Sequence, residues 1–114
     1  MPYLQIQTNT DVKPEQQGTL LANASQTIAQ ALGKPENYAM VALQANTPML
    51  FAGTNQPTAF LVLKSIRLPT ASTTELSQKL CTFIEDTLKI PKDRVYIEFV
   101  NAEAALWGWN GRTF

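Results

Sequence analysis

Apolar and polar residues alternate from Leu4 through Ile6 to Thr8, the period of a half-buried strand. Beyond Asp11 the period lengthens: Leu20, Ala24, Ile28 and Leu32 recur every four residues, as they do on one face of a helix. Pro14 suits the first turn of that helix, and Gly18 weakens it mildly. Gly33-Lys34-Pro35 ends it, with glycine placed for a left-handed cap and proline just beyond. Tyr38 to Leu43 predicts a second strand. Asn46-Thr47-Pro48 reads as a turn, Met49-Leu50-Phe51 as a short strand, and Gly53 to Pro57 as another loop. Thr58 to Ile66 is an apolar strand. Ser72-Thr73-Thr74-Glu75 fits a capping box at the head of a second amphipathic helix carrying Leu76, Leu80, Ile84 and Leu88, which stops before Pro91. Arg94 to Val100 predicts the last strand, followed by a short aromatic tail with Trp107, Trp109 and Phe114.

Displaced by 56 positions, the chain falls on itself: Leu20 on Leu76, Ile28 on Ile84, Leu32 on Leu88 and Pro35 on Pro91. Leu4 then meets Phe60, Ile6 meets Val62, Val41 meets Ile97 and Leu43 meets Phe99. The expected fold is α+β. Two pseudo-symmetric β-α-β units, approximately residues 2–44 and 58–100, form one domain over 1–114 with a four-stranded mixed sheet and both helices on one face. Each returning parallel strand should cross over right-handed. Two helices cannot cover both faces of such a sheet. Yet Phe60-Leu61-Val62-Leu63 is apolar on both faces, as are strands buried on both sides. Other copies of the chain are the simplest cover, so a homo-oligomer is expected.

Composition narrows the chemistry. At 114 residues and 45% apolar content, the chain is one ordered domain. Nine basic and nine acidic residues cancel, with no basic block, so neither nucleic acid nor an anionic membrane is an expected partner. No run approaches the ~18 apolar residues of a spanning helix, and no basic region precedes an apolar one at the N-terminus. The expected location is cytoplasmic. Histidine is absent, which removes Ser-His and Cys-His nucleophiles and the commonest metal ligand. Cys81 is the one cysteine; it sits mid-helix near Leu80 and Ile84 and reads as an inert core thiol. No metal and no cofactor is expected, so chemistry falls to amines, carboxylates, tyrosines or backbone groups. Met1-Pro2 is then of interest. Removal of the initiator methionine would free a secondary amine on Pro2. An α-amino group has a pKa near 7.7–8.0, falls further in a dry pocket or beside a cation, and becomes a general base at neutral pH. If Met1 stays, the Pro2 nitrogen is a tertiary amide and has no basicity.

Pro2, the Gly33-Lys34-Pro35 stop, Ser65-Ile66, Asp93-Arg94-Val95-Tyr96-Ile97 and the ending Gly108-Trp109-Asn110 with Thr113-Phe114 together resemble the macrophage migration inhibitory factor family of the tautomerase superfamily. The resemblance runs nearly end to end. It implies a homotrimer with active sites at subunit interfaces, and a processed N-terminal proline that moves a proton between carbon and oxygen of an enol or keto acid, phenylpyruvate and dopachrome-type compounds being the usual substrates. By position, Pro2 is the base and Lys34 holds the substrate carboxylate. Ser65 and Ile66 line the site, with backbone contacts from Ile66. Tyr96 would come from the neighbouring subunit, and Tyr38, Trp109 and Phe114 would form apolar walls. These residue types suit a small aromatic 2-keto acid, which needs a base beside C3, a cation for its carboxylate and an apolar slot for its ring. The family also implies alternatives: a non-catalytic trimeric, cytokine-like binding protein exported without a signal peptide and recognised by a protein receptor, or hydration or dehalogenation of an unsaturated acid.

The chain departs from the family pattern in four places. Glu98 replaces asparagine at the pocket, where a carboxylate would raise the amine pKa and repel an anionic substrate unless it points away or Lys34 neutralises it. Trp107 replaces a smaller aliphatic residue and would narrow the pocket. Lys64 replaces a histidine beside Ser65. Thr58-Ala59-Phe60-Leu61 stands where the family has Cys-x-x-Cys, so thiol–disulfide activity is not expected.

Overall fold

The computed structural model describes residues 1–114. Strand β1 (Pro2–Thr8) leads into helix α1 (Pro14–Leu32) and strand β2 (Met40–Gln44). Strand β3 (Ala59–Ile66), helix α2 (Thr73–Leu88) and strand β4 (Val95–Ala102) repeat that order, and a small hairpin of β5 (Gly108–Trp109) and β6 (Arg112–Thr113) closes the chain. The four long strands form one mixed sheet in the order β2-β1-β3-β4. The outer pairs are parallel, each closed through its own helix, and β1 and β3 run antiparallel at the centre. This is the α+β arrangement that the two strand–helix–strand patterns predict. No helix is long and apolar enough to cross a membrane.

Strand register decides which side chains share the core. Leu4 lies opposite Leu63 and Ile6 opposite Leu61, all fully buried with Ala24, Ile28, Leu80 and Ile84 from the helices. Val41, Leu43, Ile97 and Phe99 extend that face on the outer strands. The 56-residue displacement therefore holds for the helices and for β2 against β4, but is one residue out for β1 against β3. Leu4 corresponds to Leu61, 57 positions on, because Phe60 and Val62 point to the opposite face. A one-residue slip in a strand exchanges its faces. The cause is local: Leu4 to Leu20 spans one residue more than Leu61 to Leu76, so the second strand-to-helix connection is shorter.

On the other face Met40 and Tyr96 are exposed, and Phe60 and Val62 are only half-buried. This face carries no helix, so the apolar side chains that β3 presents there have no helical cover within the chain.

Two local expectations fail. Ser72 occupies the N-cap of α2 but makes no side-chain cap hydrogen bond, so the capping box does not form. A 3-10 turn over Thr70–Ser72 precedes the helix and leaves Ser72 at φ −113°, ψ 16°, outside the extended geometry that aims an N-cap hydroxyl at the first turn. Met49 and Leu50 are not a strand. Only Phe51 bridges, to Thr54 in its own turn. The aromatic tail folds back on itself: Asn110 and Gly111, at φ 53° and 75°, form the tight turn between β5 and β6.

Arg94 holds the long loop before β3. Its guanidinium donates to the carbonyls of Phe51, Thr54, Gln56 and Pro57 at 2.9–3.4 Å and stacks over the Phe51 ring at 5.1 Å. Arg94→Ala should cost about 1–2 kcal/mol, since the donors are charged but partly solvated. Thermal melting would show that loss, and limited proteolysis should nick the freed 46–57 segment first; an unchanged cleavage pattern would contradict the role.

Candidate active site

Pro2 begins β1 and is fully buried, paired across the antiparallel register with Ser65. Ser65 pairs in turn with Asn101 on β4. The start of the chain thus lies at the end of the sheet where β3 finishes and its loop begins. A proline can open a strand because its missing N–H takes a position that needs no ladder donor.

Lys34 reaches the same corner from the end of α1. Gly33 adopts the left-handed cap at φ 62°, its N–H donates to Gln30, and the Lys34 N–H returns to the Ala29 carbonyl at 2.9 Å. Pro35 prevents the helix from continuing. The side chain so released donates from Nζ to Ser65 Oγ at 2.8 Å and to the Ile66 carbonyl. Ser65 Oγ in turn donates to that carbonyl at 3.0 Å. An ammonium has three N–H donors, so two are committed to the end of β3 and one remains for a ligand.

A cleft of about 520 Å³ opens beside Pro2, lined by Tyr3, Tyr38, Met40, Trp107, Trp109 and Phe114. Its aromatic wall is ordered edge to face. Tyr38 meets Trp109 at 5.6 Å and 83°, and Phe114 at 6.4 Å and 90°, while Trp109 and Phe114 stack at 5.5 Å and 15°. The hairpin holds that wall in place: the Phe114 N–H donates to the Trp107 carbonyl, and Arg112 lies over the Trp109 ring at 5.2 Å. Tyr38 belongs to a 3-10 turn over Glu36–Tyr38 rather than to β2, which swings its ring over the cleft instead of into the sheet.

Two of the expected site residues lie elsewhere within a single chain. Tyr96 and Glu98 project from β4 on the helix-free face, opposite Phe60 and Val62. Glu98 is also three residues along β4 from Asn101, the residue level with Pro2, a rise of roughly 10 Å. Either residue can meet a proline site only if another copy of the chain brings it there.

The N-terminal amine, on Met1, is held below its ordinary pKa, first by burial and then by the charge of Lys34. Lys34 is itself lowered, first by burial and then by Arg67. Sequence reasoning missed Arg67 and also Asn101, whose Oδ1 accepts from the Leu68 N–H at 3.0 Å. Asn101 belongs to no motif and reaches this corner only through the register of β3 with β4, whereas Arg67 directly follows the Ser65-Ile66 motif, which is the signal that could have found it. No group of three His, Cys, Asp or Glu side chains converges in a way that would hold a metal ion.

Comparison with known proteins places this geometry. The family model "Macrophage migration inhibitory factor (MIF)" matches residues 1–114. A macrophage migration inhibitory factor homolog of Brugia malayi is 41% identical, with 100% of this chain and 99% of that protein aligned. The macrophage migration inhibitory factor of Mus musculus is 39% identical over the same shares. Among solved structures, a macrophage migration inhibitory factor homologue from Prochlorococcus marinus superposes with a TM-score of 0.92 at 42% identity, covering 98% of each chain.

Proposed function

The chain belongs to the macrophage migration inhibitory factor family, and on that footing we propose that it is a cofactor-independent keto–enol tautomerase of phenylpyruvate- or dopachrome-like acids, with Pro2, freed by removal of Met1, as the base. What supports this most is the position of Pro2: the first strand delivers it to the junction of an aromatic cleft and a cation, in surroundings that depress an amine's pKa.

In the forward direction the Pro2 nitrogen takes a proton from C3 of the keto acid. The C3–H electron pair becomes the C2–C3 double bond, and the C2–O π pair moves onto the oxygen. The proton then returns from Pro2 to that oxygen, giving the enol with no net change of oxidation state. Lys34, with its one uncommitted N–H, holds the carboxylate, and the Tyr38–Trp109–Phe114 wall takes the ring. The homotrimer belongs to the same proposal: it covers the helix-free face and brings Tyr96 and Glu98 of another copy towards the cleft. The cytoplasm is the working location.

The test is ketonisation of enolphenylpyruvate by the wild type and by Pro2→Gly. A receptor-binding protein with an idle cleft would be indifferent to the change, whereas a tautomerase slows. The pH profile gives an independent check. The base works unprotonated, so activity is lost as pH falls through the amine pKa. Burial and then Lys34 lower the pKa of the N-terminal amine on Met1, and the same like-charge repulsion is expected to act on the amine of Pro2 once Met1 is removed. Lys34→Ala should therefore move the acid limb of kcat/KM to higher pH while raising KM. An acid limb that stays in place or moves lower would remove Lys34 from the Pro2 environment.

A further inference from the structure

Arg67 is the first residue beyond β3, and its backbone lies in the left-handed region at φ 55°. Glycine would sit there without cost, whereas an L side chain crowds the neighbouring carbonyl. Its backbone is clamped on both sides: the Ile66 carbonyl accepts from Lys34 Nζ, and the Leu68 N–H donates to Asn101 Oδ1, with Leu68 itself buried. The exposed Arg67 side chain therefore leaves a fixed point next to the lysine. Neither cation has an acidic partner, for the one ion pair in the chain is Lys79–Glu75 on the outside of α2. Two unpaired positive charges thus meet at the end of β3, where Lys34 bonds to Ser65, the strand partner of Pro2, and to Ile66, the residue before Arg67; Arg67 contributes to holding Lys34 below its ordinary pKa.

We propose that Arg67 is a second cationic anchor for the acid end of the substrate, so that this site prefers acids bearing two carboxylates over those bearing one. The inference rests on reading the Pro2 cleft as an acid-binding tautomerase site. Donor supply carries it. Lys34 has spent two of its three N–H groups on Ser65 and Ile66 and covers one oxygen of one carboxylate. The guanidinium fork of Arg67 grips a second carboxylate through two parallel hydrogen bonds.

Phenylmalonate and phenylacetate share a ring and differ by one carboxylate. Titrated into the Met1-free protein and followed by fluorescence of the cleft tryptophans Trp107 and Trp109, phenylmalonate should bind at least about tenfold more tightly. Arg67→Gly, whose backbone suits φ 55°, should keep the fold and lose most of that preference, and Arg67→Lys should retain part of it. Equal affinities in the wild type, or a preference untouched by Arg67→Gly, would overturn the proposal. A preference that behaves as expected in a protein that does not turn over enolphenylpyruvate would instead refute the tautomerase reading and leave the double anchor standing.

Discussion

Inserting one alanine between Met1 and Pro2 should reduce kcat/KM for enolphenylpyruvate by roughly 10²–10⁴-fold, the usual contribution of a positioned general base. After processing, that variant carries its free amine on alanine, one strand residue or about 3.4 Å further out. Pro2 becomes a tertiary amide that cannot take a proton. The insertion lies ahead of β1, so the pairing of Pro2 with Ser65 and the core contacts of Leu4 and Ile6 are unaffected. Loss of activity with an unchanged melting temperature would locate the chemistry in the amine. Equal turnover by the inserted and processed proteins, each verified by intact mass, would remove Pro2 from the mechanism. Pro2→Gly is the milder change: it leaves a primary amine in place but gives up the rigid ring.

The second large effect is expected on the helix-free face. Val62 lies at its middle, between Gln5 on β1 and Glu98 on β4, and is half-buried without any cover. If three copies bury this face together, Val62→Glu places a carboxylate beside Glu98 with no cation to pair it, and repeats that like charge from each copy in one confined space. An uncompensated buried charge costs about 3–5 kcal/mol, which would weaken assembly several hundredfold or more. Sedimentation should show the wild type at three times 12.6 kDa and the variant as a monomer. Activity should fall with the mass, because Tyr96 and Glu98 project away from Pro2 in their own chain. A monomeric wild type, or a fully active monomeric variant, would show that the cleft is complete within one chain.

The elements that were legible in the sequence are those whose signal is local and repeated. Every fourth residue of α1 and α2 is apolar, Gly33 and Pro35 mark an end that backbone geometry demands, and Leu4 and Ile6 alternate over a whole strand. The β1–β3 correspondence came out one residue wrong because Phe60 and Val62 are as apolar as Leu61 and Leu63. With both faces apolar, composition does not say which side meets the helices. Ser72 and Glu75 have the spacing of a capping box, but the turn before them sets the dihedral angles, and spacing does not encode those. The site divides in the same way. Pro2, Lys34 and the aromatic residues could be named from their motifs; Pro2 and the aromatics line one cleft, and Lys34 bonds to Ser65, the strand partner of Pro2. Asn101 could not, since it matters through a partner 33 positions away in the chain, and Arg67 is signalled only by its place after the Ser65-Ile66 motif.

The two halves of the molecule finish their first strands and helices alike, and the unlike details set their two corners apart. Gly33 and Lys89 both close a helix in the left-handed conformation, at φ 62° and 59°, and Pro35 and Pro91 follow two residues later. Between them, Lys34 corresponds to Ile90, and Pro2 corresponds to Ala59. In the second half that corner is plugged: Ile90 is fully buried in the core, and the Ala59 nitrogen is an ordinary peptide amide. A duplicated fold has two such corners by symmetry, but only one can own a chain terminus. The architecture is therefore repeatable and the N-terminal amine is not, and copying the β-α-β unit once more would add a scaffold without adding a second free amine.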